Sequence, residues 1–365
     1  MYSNPVKVII SDDWIEDCFR YQRSLGMQKP IIITSQGSVE RNRLSKTFKG
    51  ITIFSEVNSD PTSESCQNAI DILDLSKFDG VIAIGGGSVM DTAKVLKAVM
   101  SSKITNLKKL MDLSNFEESK KVPSIFVPST HGTGSEVTKW GTVWDLSEKK
   151  KYSISHAILY PDISILDPSI TLSLPLKFSL ITTLDALSHS FEAIWNKNNN
   201  KTSTSYAIEA IISILKNVEA FKANPSDLKL RKELLIASKN AGMAFSNTKT
   251  AAAHSISYPL TIHYNIPHGI ASSMSLIPLL EINREAIQES LEEIYKRMRI
   301  SHSQLVQMIE LIPNNVLPYS LSEWGISKDS ISQLINESFT KGRMDNNIID
   351  LDKNHLKHIF NMMHD

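Results

Sequence analysis

One carboxylate and three imidazoles in the second half of the chain have the residue types and spacing of a divalent-metal site. Asp185 and His189 are four residues apart in a helical stretch, so both side chains project from one face. His254 lies among small residues that allow another helix to approach, and His268 follows Pro267 at a predicted turn. One oxygen and three nitrogen ligands suit Fe(II), Zn(II), Mn(II), Co(II) or Ni(II). An Asp/His pair at this spacing also occurs on solvent-exposed helix faces without a metal, so the spacing alone leaves both interpretations open.

A glycine-rich segment in the first half of the chain has the pattern of a phosphate-binding turn. A short apolar strand runs into three glycines and then into a helix whose first turn carries two polar side chains. Glycines let backbone N–H groups approach a pyrophosphate, and the helix N-terminus adds partial positive charge there. The spacing departs from the usual G-x-G-x-x-G fingerprint, so an unliganded turn is the alternative. The predicted cofactor residues are Gly85, Gly86, Gly87, Ser88 and Asp91.

A second apolar strand, at residues 125–127, also leads into a loop rich in Gly, Ser and Thr. Such a loop can offer hydroxyls and amides to another part of a nucleotide, although an ordinary strand-to-loop junction has the same composition. We expect His131 to be a loop residue rather than a further imidazole ligand. The predicted cofactor residues of this loop are Ser129, Thr130, Thr133 and Ser135.

The composition is that of a globular protein with two domains. The chain has 365 residues, of which 41% are hydrophobic and 21% charged. The 39 basic and 39 acidic residues cancel, so no global charge favours nucleic acid or an anionic membrane. Cys18 and Cys66 are the only cysteines, which fits a reducing compartment. No signal peptide and no bilayer-spanning apolar run is recognised, and we expect a cytoplasmic protein without membrane contact.

The order of the predicted elements divides the chain near Asp167-Pro168. Before this point short apolar runs alternate with helical stretches, which is an α/β rhythm. After it, long segments rich in Ala, Leu, Ile, Lys and Glu predict helices. We therefore expect an α/β dinucleotide-binding domain over residues 1–167 and an all-helical, metal-binding and catalytic domain over residues 168–365.

These motifs, in this order, resemble the iron-containing (group III) alcohol dehydrogenases, which are similar to glycerol dehydrogenases and, more remotely, to dehydroquinate synthases. The resemblance covers nearly the whole chain and includes residues 85–94, residues 132–138, the Asp185/His189 helix, the His254 segment and Pro267-His268-Gly269. It implies an α/β nucleotide-binding domain followed by an all-α metal-binding domain. By this resemblance, Fe²⁺ is the expected metal, Zn²⁺ is its alternative, and a homodimer is one expected assembly.

The activity that the resemblance implies is hydride transfer between NAD(P)H and a small aldehyde or primary alcohol. Asp185, His189, His254 and His268 would hold the metal, which would polarise the aldehyde oxygen as a Lewis acid. Many relatives have another histidine four residues after the position of His254, but this chain has Tyr258 there and a histidine at position 263. The proton path has three alternatives: Tyr258, His263, or water with the cofactor ribose. We regard Tyr258 first as a pocket residue.

Ser35 bears on the choice between NADPH and NADH. It stands after Thr34, where members of the family often have an Asp whose charge would repel a 2′-phosphate on the adenosine ribose. A neutral hydroxyl removes this repulsion, so we predict that NADPH is accepted, with Arg41 or Arg43 as candidate phosphate partners. The alternative is that Ser35 is a turn residue and that both cofactors bind.

Two lysines near the predicted metal and nucleotide motifs would together favour an anionic substrate, although each lysine taken singly could simply face water. Lys249 lies five residues before His254, and Lys139 follows the second loop; with Asn247 they are the candidate anion-binding residues. Residues 136–145, 150–155 and 191–197 resemble the phosphonoacetaldehyde reductase branch, which makes 2-hydroxyethylphosphonate. The alternatives are a general iron-dependent dehydrogenase of short alcohols or diols, a cyclase resembling dehydroquinate synthase, and a non-catalytic nucleotide-binding protein.

Overall fold

The computed structural model describes residues 2–102, 104–111, 120–145, 147 and 150–364, and the chain divides into two compact units. Asn4–Thr130 and Ser135–Ser173 form one, which we call the sheet unit. Met1–Ser3, His131–Gly134 and Leu174–Asp365 form the other, which we call the helical unit. The domain boundary between residues 167 and 168 stays a prediction, and the structure separates the units between residues 173 and 174.

A six-stranded parallel sheet forms the centre of the sheet unit. The sheet and a separate strand pair together contain β1 (Lys7–Ile10), β2 (Pro30–Ile33), β3 (Thr52–Phe54), β4 (Gly80–Gly85), β5 (Ser124–Pro128), β6 (Trp140–Asp145), β7 (Lys150–Ser155) and β8 (Ile163–Leu166). The spatial order is β1, β8, β5, β4, β2, β3, and β6 and β7 form a separate antiparallel pair. The four inner strands are buried along their whole length, which explains their continuous apolar sequences.

The sheet reverses its order of connection between β2 and β4. β2 leads to β3 on one side, whereas β4 leads to β5 on the other. In open α/β sheets, ligands bind at the carboxyl ends of the strands at such a switch point. Ser35 and Gly86, which follow β2 and β4, lie at the carboxyl ends of the two strands that form this switch point. The helices of the sheet unit are α1 (Trp14–Ser24), α2 (Gln36–Arg41), α3 (Leu44–Thr47), α4 (Ser63–Ile72), α5 (Gly87–Ser102) and α6 (Leu107–Met111).

The helical unit is built around one helix that is buried over most of its length. Its helices are α7 (Leu176–Ile194), α8 (Lys201–Ala223), α9 (Leu228–Thr248), α10 (Ala252–Tyr264), α11 (His268–Ser273), α12 (Leu276–Asn283), α13 (Gln288–Met298), α14 (His302–Leu311), α15 (Ile331–Glu337) and α16 (Lys353–His364). α7 packs against α8, α9 and α11, and every residue from Thr183 to Ile194 is buried. Polar side chains on such a helix require polar partners inside the unit.

The architecture confirms the predicted fold class, an α/β unit followed by helices, and shows that the sheet of the α/β unit is parallel. Among the residues described, no helix is both long enough and apolar enough to cross a membrane.

Candidate metal and nucleotide sites

Asp185 on α7 lies at the centre of a cluster of three histidines. Its Oδ1 is 3.5 Å from Nε2 of His254 and 3.9 Å from Nε2 of His268, and its Oδ2 is 3.8 Å from Nδ1 of His189. These separations are long for hydrogen bonds, whereas ligand atoms about 2.1 Å from a tetrahedral cation lie about 3.4 Å apart. The donor types and their spacing therefore fit a divalent metal ion.

The electrostatics of the cluster also favour a bound cation. Ligand atoms of Asp185, His189 and His254 all lie within 4.8 Å of one another, and the three residues are buried. Burial opposes ionisation of Asp185, but the surrounding histidines hold the pKa of its carboxyl well below its usual range. Burial also disfavours a charged His254, yet Glu192 and Asp185 raise the pKa of this imidazole to about 9. A cation is thus stabilised where a metal ion would lie.

Glu192 orients His254, a role that the sequence pattern did not single out. Its Oε1 accepts a hydrogen bond of 2.9 Å from the backbone N–H of His254, and its Oε2 lies 2.5 Å from Nδ1 of the same residue. A proton on Nδ1 leaves the Nε2 lone pair directed towards Asp185, which is the tautomer a metal ligand needs. The available signal was helical spacing, because Glu192 follows His189 by three residues on α7.

Gly269 allows α11 to lie directly against α7. A Cβ at this position would stand 2.0 Å from the carbonyl oxygen of Ile181 and 3.2 Å from Cβ of Asp185. His268 is the first residue of α11, and its ring is edge-on to that of His254 at 5.2 Å. The close helix contact that only glycine permits therefore determines how near His268 comes to the other predicted ligands.

The candidates for the proton path lie in different environments of α10. Tyr258 is 8% exposed, and its hydroxyl oxygen accepts a hydrogen bond of 3.1 Å from Nε of Arg343. His263 is one-quarter exposed and its Nε2 lies 2.5 Å from a carboxylate oxygen of Glu337. The structure thus pairs His263 with a surface carboxylate, whereas Tyr258 is buried on the helix that carries His254.

In the sheet unit, the glycine turn joins β4 to α5 as predicted. A Cβ on Gly86 would lie 2.9 Å from the methyl carbon of Thr130, so the two predicted nucleotide loops touch only because Gly86 lacks a side chain. The backbone N–H of Ser129 donates to the carbonyl of Gly85 over 2.9 Å. Ser88 Oγ accepts from the backbone N–H of Asp60 over 3.1 Å. These contacts hold the turn at the N-terminus of a 16-residue helix, where an anion is favoured.

Asp91 and Ser135, both predicted cofactor residues, bond to each other. Oδ1 of Asp91 accepts from Oγ of Ser135 over 3.0 Å. The buried Lys94 Nζ donates to the carbonyl of Ser135 over 2.8 Å, to Oγ1 of Thr138 over 3.0 Å and to the carbonyl of Trp140 over 2.6 Å. Burial lowers the pKa of Lys94 to about 8, with Asp91 and Glu136 opposing the shift. This network fixes the chain after the second loop to α5.

Ser35, at the predicted ribose position, is the N-cap residue immediately before α2. Its backbone is extended and the carboxyl end of β2 lies just before it. The guanidinium of Arg41 passes over Gly37, where a Cβ would be 2.6 Å from Nη1 of Arg41. Arg41 therefore lies along the first turn of α2, while Arg43 occupies a left-handed position with φ of 50° at the start of α3. Of the two candidate phosphate partners, Arg41 is the one that folds back towards the helix start.

The remaining predicted residues are distributed over both units. Thr133 belongs to the helical unit with His131–Gly134, whereas Lys139 belongs to the sheet unit, with Nζ 5.8 Å from the ring centre of Trp140. Lys249 is exposed at the end of α9. The Asn247 amide donates to the Ser3 carbonyl and accepts from the Ser3 N–H, both over 3.1 Å. A role for Asn247 in anion binding stays a prediction and would require these bonds to be exchanged.

His131 lies in a loop, as expected, but is fully buried. Its ring is edge-on to Phe221 at 6.0 Å. Burial, and to a lesser degree the charge of Arg231, lowers the pKa of His131 to about 3. This histidine is therefore a neutral packing residue of the helical unit.

Comparison with known proteins covers both halves of the chain. Residues 5–168 match the family model described as iron-containing alcohol dehydrogenase, and residues 179–363 match the C-terminal model of the same family. A probable alcohol dehydrogenase, EutG, of Escherichia coli (strain K12) is 33% identical over 286 residues, which are 78% of this chain and 71% of the relative. An NADPH-dependent butanol dehydrogenase of Clostridium saccharobutylicum is 25% identical over 93% of this chain and 92% of its own.

A solved structure is similar over the full length. The sulfoacetaldehyde reductase from Bifidobacterium kashiwanohense, solved in complex with NAD⁺, superposes with a TM-score of 0.91 at 25% identity and covers 100% of this chain and 98% of its own.

Proposed function

Because the chain belongs to the iron-containing alcohol dehydrogenase family, we propose that it reduces a small anionic aldehyde to the primary alcohol with NAD(P)H. The expected reaction is the conversion of phosphonoacetaldehyde to 2-hydroxyethylphosphonate. The observation that carries the proposal is the buried cluster of Asp185, His189 and His254, with His268 beside it. Fe²⁺ is the expected metal and Zn²⁺ the alternative, because both accept this donor set.

The preference for an anion is supported by the similar sulfoacetaldehyde reductase, whose named substrate carries a sulfonate beside the aldehyde. Sulfonate and phosphonate are both tetrahedral anions and are recognised by the same ammonium, guanidinium and hydroxyl groups. Lys139 of the sheet unit and the exposed Lys249 of the helical unit are the candidate cations.

A divalent metal held by Asp185, His189, His254 and His268 would supply a Lewis acid that polarises the aldehyde oxygen. The protein residues around this position have separate tasks. Glu192 holds the His254 ring in one tautomer, and Gly269 brings α11 close enough to place His268. Tyr258, on the same helix as His254, is the proposed source of the proton for the product alcohol.

The nucleotide is proposed to bind at the switch point of the sheet unit. The glycine turn at the start of α5 presents backbone N–H groups to the pyrophosphate, and Ser35 offers no carboxylate to repel a 2′-phosphate. Both NADPH and NADH are therefore expected to bind, because no carboxylate at position 35 repels the 2′-phosphate of NADPH.

The test is NADPH consumption by freshly Fe(II)- or Zn(II)-loaded protein with phosphonoacetaldehyde, sulfoacetaldehyde and propanal. We expect the anionic aldehydes to exceed propanal by about a hundredfold in kcat/KM, which is about 2.7 kcal/mol of transition-state discrimination. Lys139→Met and Lys249→Met should each reduce this ratio, whereas Lys357→Met on the exposed side of α16 serves as the matched control. Equal rates with propanal would overturn the anionic substrate class.

The second candidate is a general dehydrogenase of short alcohols. It is favoured by the relatives named as a probable alcohol dehydrogenase and a butanol dehydrogenase. In that case, butanal and propanal would be reduced as well as the anionic aldehydes, and the two lysine variants would not change the ratio.

A further inference from the structure

Arg343 reaches Tyr258 from a segment that is distant in the sequence. Its Nε donates to the Tyr258 hydroxyl oxygen over 3.1 Å, and its Nη1 donates to the carbonyl of Gly342 over 3.0 Å. Both residues belong to the helical unit, with Arg343 between α15 and α16. An arginine side chain only donates hydrogen bonds, so the oxygen of Tyr258 is the acceptor in this contact.

This contact decides which atom the tyrosine can offer to a substrate. A phenol has one O–H proton, and an oxygen that accepts from a guanidinium directs that proton elsewhere. The positive charge of Arg343 also stabilises negative charge that develops on the phenol oxygen when the proton leaves. The pair is therefore arranged for Tyr258 to give up a proton.

Tyr258 shares a face of α10 with His254, which belongs to the metal cluster. Tyr258 follows His254 by four residues on α10, and side chains at this spacing lie on one face with Cβ atoms about 5–6 Å apart. Tyr258, followed by Glu192 and Asp345, raises the pKa of Arg343 against the effect of its burial. Glu192 thus bonds to His254 and stabilises the charge of Arg343.

We propose that Arg343 is the positioning residue that holds Tyr258 as the proton donor of aldehyde reduction. The proposal rests on the proposed function. The carbonyl carbon gains a hydride from the reduced nicotinamide, and the electron pair of the C=O π bond moves to the oxygen. This oxygen takes the proton of Tyr258, and the phenolate regains one proton from bulk solvent, so aldehyde, reduced nucleotide and one proton give the alcohol and the oxidised nucleotide.

The first test compares steady-state kinetics of the metal-loaded full-length enzyme and its variants. We expect Tyr258→Phe to lower kcat about a hundredfold and Arg343→Met about tenfold, each with KM changed less than about twofold. Arg343→Lys keeps a charged donor and should recover most of kcat. The double variant Arg343→Met/Tyr258→Phe should have the same kcat as Tyr258→Phe alone, because Arg343 acts through the tyrosine. Tyr264→Phe on α10 and Arg284→Met, an exposed arginine, are the matched controls.

A second test is independent of turnover and uses metal-free protein. Tyrosine labelled with carbon-13 at Cζ gives one NMR signal for each of the nine tyrosines, and Tyr258→Phe identifies the signal of Tyr258. Arg343→Met, or Arg343→Gln if the first variant does not fold, should move this signal while the signal of Tyr264 stays in place. An unchanged Tyr258 signal would show that the contact is absent and would overturn the proposal.

The kinetic outcomes separate the two ideas. If wild-type enzyme reduces no aldehyde, the proposed function fails, and the proton step fails with it. If wild-type enzyme is active and Arg343→Met costs as much kcat in the Tyr258→Phe background as in wild type, only the positioning role of Arg343 is overturned.

Discussion

The carboxylate of Glu192 contacts His254 at two points, the backbone N–H at 2.9 Å and the ring Nδ1 at 2.5 Å. One buried side chain therefore fixes both the start of α10 and the tautomer of the ring that it carries. The pKa of Glu192 is lowered despite its burial, mainly by His254, so this carboxylate is charged where it bonds the ring.

Glu192→Gln should weaken metal binding while the fold is kept. The glutamine amide can retain one hydrogen bond but supplies no negative charge to Nδ1, and loss of such an outer partner reduces metal affinity about 10- to 100-fold. The measurement is chelator competition for Zn(II), with Glu233→Gln on α9 as the matched control. Equal affinity in Glu192→Gln and wild type would show that this contact does not tune the ligand.

His268→Ala should remove bound metal and activity with the helical fold intact. His268 is the most exposed of the four predicted ligands, at 25%, so its removal leaves no buried cavity of large size. Metal content after dialysis and far-UV circular dichroism provide the check. His263→Ala removes a histidine of similar exposure that faces Glu337, and it should retain the metal. Full activity of metal-free His268→Ala would contradict the Lewis-acid role.

Ser35→Asp should weaken NADPH binding much more than NADH binding. A carboxylate at the end of β2 repels a 2′-phosphate but can accept hydrogen bonds from a ribose 2′-hydroxyl. We expect the ratio of the two dissociation constants to change at least tenfold, or about 1.4 kcal/mol, as measured by titration calorimetry. Ser55→Asp, in the loop after β3, tests for a general charge effect. An unchanged ratio would remove Ser35 from cofactor selection.

Gly269→Ala should destabilise the helical unit and release the metal. The new methyl carbon would stand 2.0 Å from the Ile181 carbonyl oxygen, so α11 must move away from α7. Overpacking of this kind costs about 1–3 kcal/mol. Gly325→Ala is the control, because Gly325 has φ of 71° but no atom within 4 Å of an added Cβ. The free energy of unfolding of both variants, measured in denaturant, separates steric overlap from backbone strain. Equal decreases in the two variants would argue against the tight contact at Gly269.

His131 should make the protein sensitive to acid. Its folded-state pKa is lowered to about 3, so the unfolded chain binds more protons between that pH and about 6.5. The contribution of His131 to the free energy of unfolding is therefore complete above about pH 6.5. It falls by about 1.4 kcal/mol for each pH unit between there and its folded-state pKa. His131→Leu removes the titrating ring from its buried site beside Phe221. The measurement is the urea midpoint at pH 7 and pH 5, and an equal drop in both proteins would contradict this assignment.

Local patterns in the sequence were sufficient for the fold class and for the choice of most chemical groups. Short apolar runs that alternate with helical stretches predicted an α/β unit, because composition and periodicity are local properties of the chain. The spacing of Asp185 and His189 predicted a shared helix face, because an α-helix repeats every 3.6 residues. The three glycines at the end of β4 predicted a turn for the same local reason.

Only the tertiary structure decided which distant groups meet. His254 and His268 reach Asp185 because α10 and α11 pack against α7, and Gly269 sets the depth of that approach. The contacts of Glu192 with His254 and of Arg343 with Tyr258 join residues 62 and 85 positions apart. No local periodicity encodes such pairs, because they depend on how whole helices pack around a shared core. The residue types of the site were therefore determined by the sequence, and their pairing and electrostatics by the packing of the helices.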